Sequence, residues 1–317
     1  MPPSKAIVDP QLGIRILRSR ELRYDAPEDA GDDRPAHIRA ASGLTVHGGR
    51  LVIAQDDASF FGVLASDGIS AIKLPRGVDG RRRFEVALGN KLDKLDLESV
   101  LAVDDELWAF GSGSLPVRDK ICRVKDGVVR VQEAAPLYAR LREALGGALN
   151  IEGAARVRVD SRDEVWLFHR GNTGPDDPGP ATLELATADL RAWLDATAPL
   201  PTLLDIDAYD LGTTADGARF GFTDAVAYGS RVLYLAAAEH SANAIDDGAA
   251  GGSQLGIIDV VRGGARATPL VGVDGSAVKA EGIALDPAQP GRAWVVLDPD
   301  DPERPTTLLD IELVGPW

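Results

Sequence analysis

Short apolar runs bounded by turn-forming residues recur along the chain in one pattern. A polar or small residue opens a short apolar strand, a turn follows, and a second strand with a bulky centre runs into polar residues. The openings are Ser42-Gly43-Leu44-Thr45-Val46, Glu98-Ser99-Val100-Leu101-Ala102, Glu152-Gly153-Ala154-Ala155-Arg156, Thr223-Asp224-Ala225-Val226 and Glu281-Gly282-Ile283-Ala284-Leu285. They recur at roughly 55-residue intervals, with one longer interval between Glu152 and Thr223. Second strands are predicted at 50–54, 106–110, 164–168, 231–235 and 292–296, where β-branched and aromatic residues concentrate. Third strands follow at 61–65, 120–124, 182–185, 254–260 and 307–313, and fourth strands at 69–74, 128–132, 202–207 and 266–271.

Four strands per repeat is the signature of β-propeller blades. The fifth repeat reaches Trp317 before a fourth strand, and residues 13–22 read as a lone strand ahead of the first repeat. Pairing the two would leave no open edge. The predicted fold is therefore all-β, a single five-bladed propeller over 1–317. Its blades are 42–75, 97–135, 150–210, 222–272, and 280–317 completed by 13–22. Residues 25–35 are too polar and turn-rich for a sixth blade. Helices are predicted at 136–145, from Pro136 to the stop at Gly146-Gly147, and at 187–194 with Thr187 as N-cap; both are expected at the rim. Residues 171–180 and 242–253 read as long loops.

Composition narrows the partners. The 317 residues carry 34 Lys+Arg against 49 Asp+Glu, a net charge of −15, which argues against nucleic acid and anionic membranes. Cys122 is the single cysteine, so no intrachain disulfide and no cysteine-based zinc site forms. Residues 1–10 hold no apolar segment of signal type, and no run of about 18 apolar residues occurs, so a cytoplasmic protein is expected.

In a propeller the first strand of each blade lines the central channel, and its entry lies on the same face as the loop after the second strand. This groups Ser42, Glu98, Glu152, Thr223 or Asp224, and Glu281 with the loops at Asp56-Asp57, Ser112 and Ser114, His169-Arg170, Glu239-His240, and Asp298 with Asp300-Asp301. Glutamates converging on one axis repel unless a cation compensates. Hard oxygen ligands suit Ca²⁺, which takes about 6–8 of them. The alternative is that the glutamates cap strands around a water-filled channel. Arg170 is a candidate for holding an anion at the mouth. His169 and His240 are candidate acid–base groups, though each also reads as a surface loop residue. Ser112 and Ser114 lie in a Gly-Ser loop with no legible base. Residues 81–83, all Arg, read as an exposed turn.

These openers resemble those of the calcium-activated nucleotidases of the apyrase type, with Lys279-Ala280-Glu281-Gly282-Ile283 the closest match. The resemblance implies a five-bladed propeller with Ca²⁺ held by Ser42, Glu98, Glu152, Thr223 or Asp224, and Glu281. It also implies working residues at Asp56, Asp57, Arg170 and Glu239. Departures are Thr223 in place of Ser, an extra residue after Glu98, and His169-Arg170 in place of an Arg pair. The chain is also similar to an uncharacterised bacterial propeller family.

Three functional readings follow. One is a Ca²⁺-dependent hydrolase of phosphate esters or anhydrides, acting on a small anionic molecule. Another is a non-catalytic propeller that binds a ligand or a protein, with the metal as a structural pin. A weaker one is a lactonase or esterase with the same metal.

Overall fold

A computed structural model describes residues 2–171, 174, 177–239, 250–261 and 263–317. The chain is all-β, with β1 (Ser4–Val8) and β2 (Gly13–Glu21) ahead of the repeats. Repeat 1 holds β3 (Ala41–His47), β4 (Arg50–Gln55), β5 (Phe60–Ala65) and β6 (Gly68–Lys73). Repeat 2 holds β7 (Leu97–Val103), β8 (Glu106–Gly111), β9 (Lys120–Lys125), β10 (Val128–Glu133) and then helix α1 (Ala135–Leu145). Repeat 3 holds β11 (Ile151–Val159), β12 (Arg162–His169), β13 (Ala181–Ala186), helix α2 (Thr187–Leu194) and β14 (Leu203–Asp210). Repeat 4 holds β15 (Phe220–Tyr228), β16 (Arg231–Glu239), β17 (Ala250–Asp259) and β18 (Ala265–Leu270). Repeat 5 holds β19 (Ala280–Leu285), β20 (Arg292–Leu297) and β21 (Thr307–Val314).

Repeats 1 and 2 are four-stranded antiparallel sheets, and the three strands of repeat 5 gain β2 as a fourth. β2 runs antiparallel to β21 from Gly13↔Val314 to Glu21↔Thr307, the pairing expected for residues 13–22. Repeats 3 and 4 share one nine-stranded sheet in the order β11-β12-β13-β14-β1-β18-β17-β16-β15. β1 joins them by pairing parallel with both β14 and β18. The sequence reading left β1 out, because Ser-Lys-Ala-Ile-Val is short and has no hairpin partner to announce it.

The first strands β3, β7, β11, β15 and β19 touch in turn, and β19 touches β3, so the cycle closes. Five apolar clusters fill the gaps between successive sheets. Phe61, Leu97 and Cys122 lie between repeats 1 and 2, Phe110 and Leu183 between 2 and 3, and Phe168, Phe222 and Tyr234 between 3 and 4. Leu255 and Ile311 fill the gap between repeats 4 and 5, and Ile53 and Val296 that between 5 and 1. The inner and middle strands are thus largely buried on both faces, while the outer strands β2, β6, β10 and β14 stay partly exposed. No helix among the described residues is long and apolar enough to cross a membrane.

Several expectations need correction. The helices do not merely decorate the rim: α1 buries Leu137, Tyr138 and Leu141, and α2 buries Leu190 and Leu194, in the core between repeats 2 and 3. Thr187 is the first residue of α2 rather than its N-cap, and its Oγ1 donates to Asp163 Oδ1 at 2.9 Å. Within the loop expected at 242–253, β17 begins at Ala250, and residues 242–249 lie outside the described residues. Two of the arginines at 81–83 are tied down, Arg82 to Asp32 at 3.2 Å and Arg83 to Asp33 at 2.9 Å.

Candidate functional site

The five inner strands share one irregularity. Each register shifts between the residues flanking its opener: Ala41/Gly43, Leu97/Ser99, Ile151/Gly153, Phe222/Asp224 and Ala280/Gly282. Ser42, Glu98, Glu152, Thr223 and Glu281 are therefore the extra residues of equivalent β-bulges. A bulge re-aims its side chain out of the pleat alternation. It also makes Thr223, not Asp224, the counterpart of the three glutamates.

The bulged side chains divide by length. Ser42 Oγ donates to the Leu97 carbonyl at 2.6 Å, and Thr223 Oγ1 donates to the Ala280 carbonyl at 2.6 Å. These short hydroxyls clasp the next inner strand. Asp224, one residue further in, is buried, and its Oδ2 accepts the N–H groups of Ile283 at 2.8 Å and Leu44 at 3.4 Å. The three glutamates extend instead into the mouth of the ring.

On one side of the mouth Arg170 and Lys279 thread between carboxylates. Arg170 NH1 lies 3.1 Å from Glu152 Oε2 and its NH2 lies 2.9 Å from Glu239 Oε1. Lys279 Nζ lies 2.9 Å from Glu239 Oε1, 3.4 Å from Glu281 Oε1 and 2.8 Å from Asp300 Oδ1. Arg170 is a buried strut with both ends taken. Against the pull of burial, Arg170 and Lys279 hold the Glu239 carboxyl down at about 2. Burial wins at Glu281 and Glu152, whose carboxyls are raised. Burial, reinforced by Asp300 and Asp56, pushes Asp298 up to about 8.

On the other side Lys94 Nζ sits on Asp56 and lies 2.7 Å from Asp96 Oδ1, and Arg118 NH1 lies 2.9 Å from Asp96 Oδ2. Arg39 grips Asp57 at 3.0 and 2.8 Å and reaches Glu85 at 2.7 Å. Burial and the neighbouring Asp56 raise Asp57 to about 6. Oxygens of Asp56, Asp96 and Glu98 come within 4.8 Å of one another, a group able to hold a metal ion. Among the described residues Glu98 takes no hydrogen bond or ion pair. Burial, then repulsion from Asp96, Asp56 and Glu152, raises its carboxyl well above the usual range. A cavity of about 310 Å³ adjoins this group, lined by Arg39, Asp57, Phe84, Lys94, Lys279 and Asp298 among others.

A family model matches residues 37–313. The chain belongs to DUF6929, a family of unknown function. No curated protein matches it. Solved structures align weakly. The glutaminyl cyclase of Myxococcus xanthus aligns with a TM-score of 0.48 at 10% identity, over 99% of this chain and 100% of its own. A GH43 β-1,3-galactosidase gives 0.49 at 10% identity, over 95% and 63%. The PQQ-bound aldose sugar dehydrogenase of Streptomyces coelicolor gives 0.44 at 11% identity, over 96% and 99%.

Other candidates in this DUF6929 chain are placed differently from expectation. His169 is no surface residue: it is fully buried, and its Nδ1 accepts the Asn150 N–H at 3.0 Å. Ser112 is buried, not loose, and its Oγ donates to Asp96 and meets Ser114 Oγ at 2.8 Å. His240 lies outside the described residues. Sequence reasoning passed over Arg39, Lys94, Asp96 and Arg118. A signal was present in the alternation Lys94-x-Asp96-x-Glu98, repeated as Asn150-x-Glu152 and Lys279-x-Glu281. A period of two puts such residues on one side of the extended segment entering each bulge.

Proposed function

We propose that this chain is a five-bladed β-propeller that binds a divalent cation, Ca²⁺, in its channel mouth, with Asp56, Asp96 and Glu98 as the carboxylate ligands. The closed cycle of inner strands and the five inter-sheet cores support the ring. The observation that carries the ion is the unpartnered Glu98 beside Asp56 and Asp96. Ca²⁺ suits an all-oxygen group that water can complete. Of the ligands the apyrase resemblance implies, Ser42 and Thr223 spend their hydroxyls on backbone carbonyls, and Asp224 spends an oxygen on backbone N–H groups. Glu152 pairs with Arg170, and Glu281 lies close to Lys279. The ion is therefore assigned to the Glu98 side of the mouth, where it would displace Lys94 from Asp56 and Asp96. Calorimetric titration of metal-stripped protein with Ca²⁺ tests this: Glu98→Gln should lose one binding event while keeping the fold.

The cavity favours a hydrolase of small phosphate esters or anhydrides as the second reading. Arg39, Lys94 and Lys279 offer positive charge to an anion, and Asp57, raised to about 6, is suited to accept a proton from water. A bound ion would supply Lewis acidity. Turnover of a phosphate-ester panel with and without Ca²⁺, in wild type and Asp57→Asn, separates this reading from ligand binding alone.

A further inference from the structure

Lys94 occupies the place a cation would take. Its side chain is 6% exposed, and its Nζ sits on Asp56 and lies 2.7 Å from Asp96 Oδ1. The negative charges that act on it are those of Asp56, Asp96 and Glu98, the three carboxylates whose oxygens converge within 4.8 Å. Asp96 does not need the lysine to hold its place. Its Oδ2 accepts from Ser112 Oγ and meets Arg118 NH1 at 2.9 Å, while its buried Oδ1 takes no hydrogen bond. Other residues thus position this carboxylate, and the ammonium fills the space beside it.

The other cations named at the cavity are held differently. Lys279 is held by Glu239, Glu281 and Asp300, and Arg39 by Asp57 and Glu85, none of them a ligand of the proposed ion. Both ion pairs of Lys94 are to proposed ligands. An ammonium and a divalent ion repel one another at contact distance, so they do not share the same carboxylate oxygens. Lysine carries its charge on a flexible four-carbon stem. Lys94 also lines the cavity of about 310 Å³, which offers the displaced ammonium a place beside Arg39 and Lys279.

We infer that Lys94 couples two ligands. In the ion-free protein it is the resident cation of the mouth. When Ca²⁺ takes Asp56, Asp96 and Glu98, the Lys94 ammonium turns into the cavity and binds a small anion of phosphate-ester type there. Ion and anion then bind cooperatively, each tightening the other by the same factor. The inference rests on the reading of the mouth as a Ca²⁺ site and adds the residue that links that ion to the cavity.

Phenylphosphonate, whose C–P bond resists hydrolysis, is the anion probe, titrated calorimetrically in chelator and in saturating Ca²⁺. Wild type should bind it about tenfold or more tightly in Ca²⁺ than in chelator. In Lys94→Met the two affinities should agree within about twofold, while Ca²⁺ itself binds about tenfold tighter because its competitor is gone. Direct contact between ion and anion would instead keep the gain in Lys94→Met, and that result overturns the inference, as does a wild type that binds Ca²⁺ and shows no gain. Lysine methylation of the wild-type protein, mapped by peptide mass spectrometry, reads the same change without a variant. Lys94 should be shielded in chelator and modified in Ca²⁺, with exposed Lys5 modified in both. Equal modification of Lys94 in the two conditions overturns the inference while leaving the ion site standing. A wild type that binds no Ca²⁺ at all removes the mouth reading, and this inference with it.

Discussion

Asp224 Oδ2 accepts the backbone N–H of Ile283 at 2.8 Å, so a carboxyl from the inner strand of repeat 4 pins that of repeat 5. The same oxygen takes the Leu44 N–H of repeat 1 at 3.4 Å. The other repeats place Gly43, Ser99, Gly153 and Gly282 at this level, and the ring is narrow there. A Cβ on Gly153 would come within 2.9 Å of Asp224 Cα, and one on Gly282 within 2.9 Å of the repeat 1 backbone. The glycines of repeats 1, 3 and 5 leave room there for the Asp224 side chain.

Asp224→Ala is expected to leave buried N–H groups unpaired, at a cost of about 1–3 kcal/mol for each. Gly153→Ala should cost about 1–3 kcal/mol by overpacking. Urea unfolding of both variants checks this, and wild-type midpoints would remove Asp224 from its bridging role.

Arg170→Ala leaves Glu152 and Glu239 buried without their guanidinium. Loss of one partner of a buried pair costs about 3–5 kcal/mol. The expected result is a large fall in thermal stability, with Arg170→Lys losing less. A variant as stable as wild type would show that Arg170 is available for an anion, as its place in the sequence suggested.

The strands, the ring-closing segment and the bulge residues were legible because each repeat carries the same opener and the same bulky second strand. The ionic partners were not. Arg39, Lys94 and Arg118 come from connecting segments, where only the alternation at Lys94 gave a signal; the β3–β4 hairpin, the sheet of repeat 2 and the packing of repeat 1 on repeat 2 bring them to Asp57, Asp96 and Asp56. Arg170 was legible as a residue but not as a strut, since its partners lie on the inner strand of its own repeat and on the second strand of the next.

The metal-free protein should lose stability as pH rises from about 4 to 8. Asp57 is raised to about 6, and Asp298 and Glu184 to about 8, so the folded state holds protons that the unfolded chain has released. Their favourable contribution is complete below the ordinary carboxyl range and lost through the raised values. Glu239 and Asp163, held at about 2, act oppositely and weaken the fold as pH falls below about 4. Ca²⁺ should flatten the alkaline side. Melting temperatures across this range, with chelator or Ca²⁺, test the sign; a chelated protein that gains stability from pH 5 to 8 would contradict it.

Removing residues 2–22 strips β1 and β2 and opens the edge of β21, whereas removing residues 2–9 strips only the parallel strap between β14 and β18. The longer deletion is expected to give aggregation through the bare edge, and the shorter a soluble protein with a lower melting temperature. Equal behaviour of the two would deny β2 its ring-closing role.

The central claim is most directly tested by a crystal structure of the protein grown in Ca²⁺. The account predicts an ion with oxygens of Asp56, Asp96 and Glu98 at about 2.3–2.6 Å. Density for water alone beside Glu98 at saturating Ca²⁺, with Lys94 still bridging Asp56 and Asp96, would contradict it.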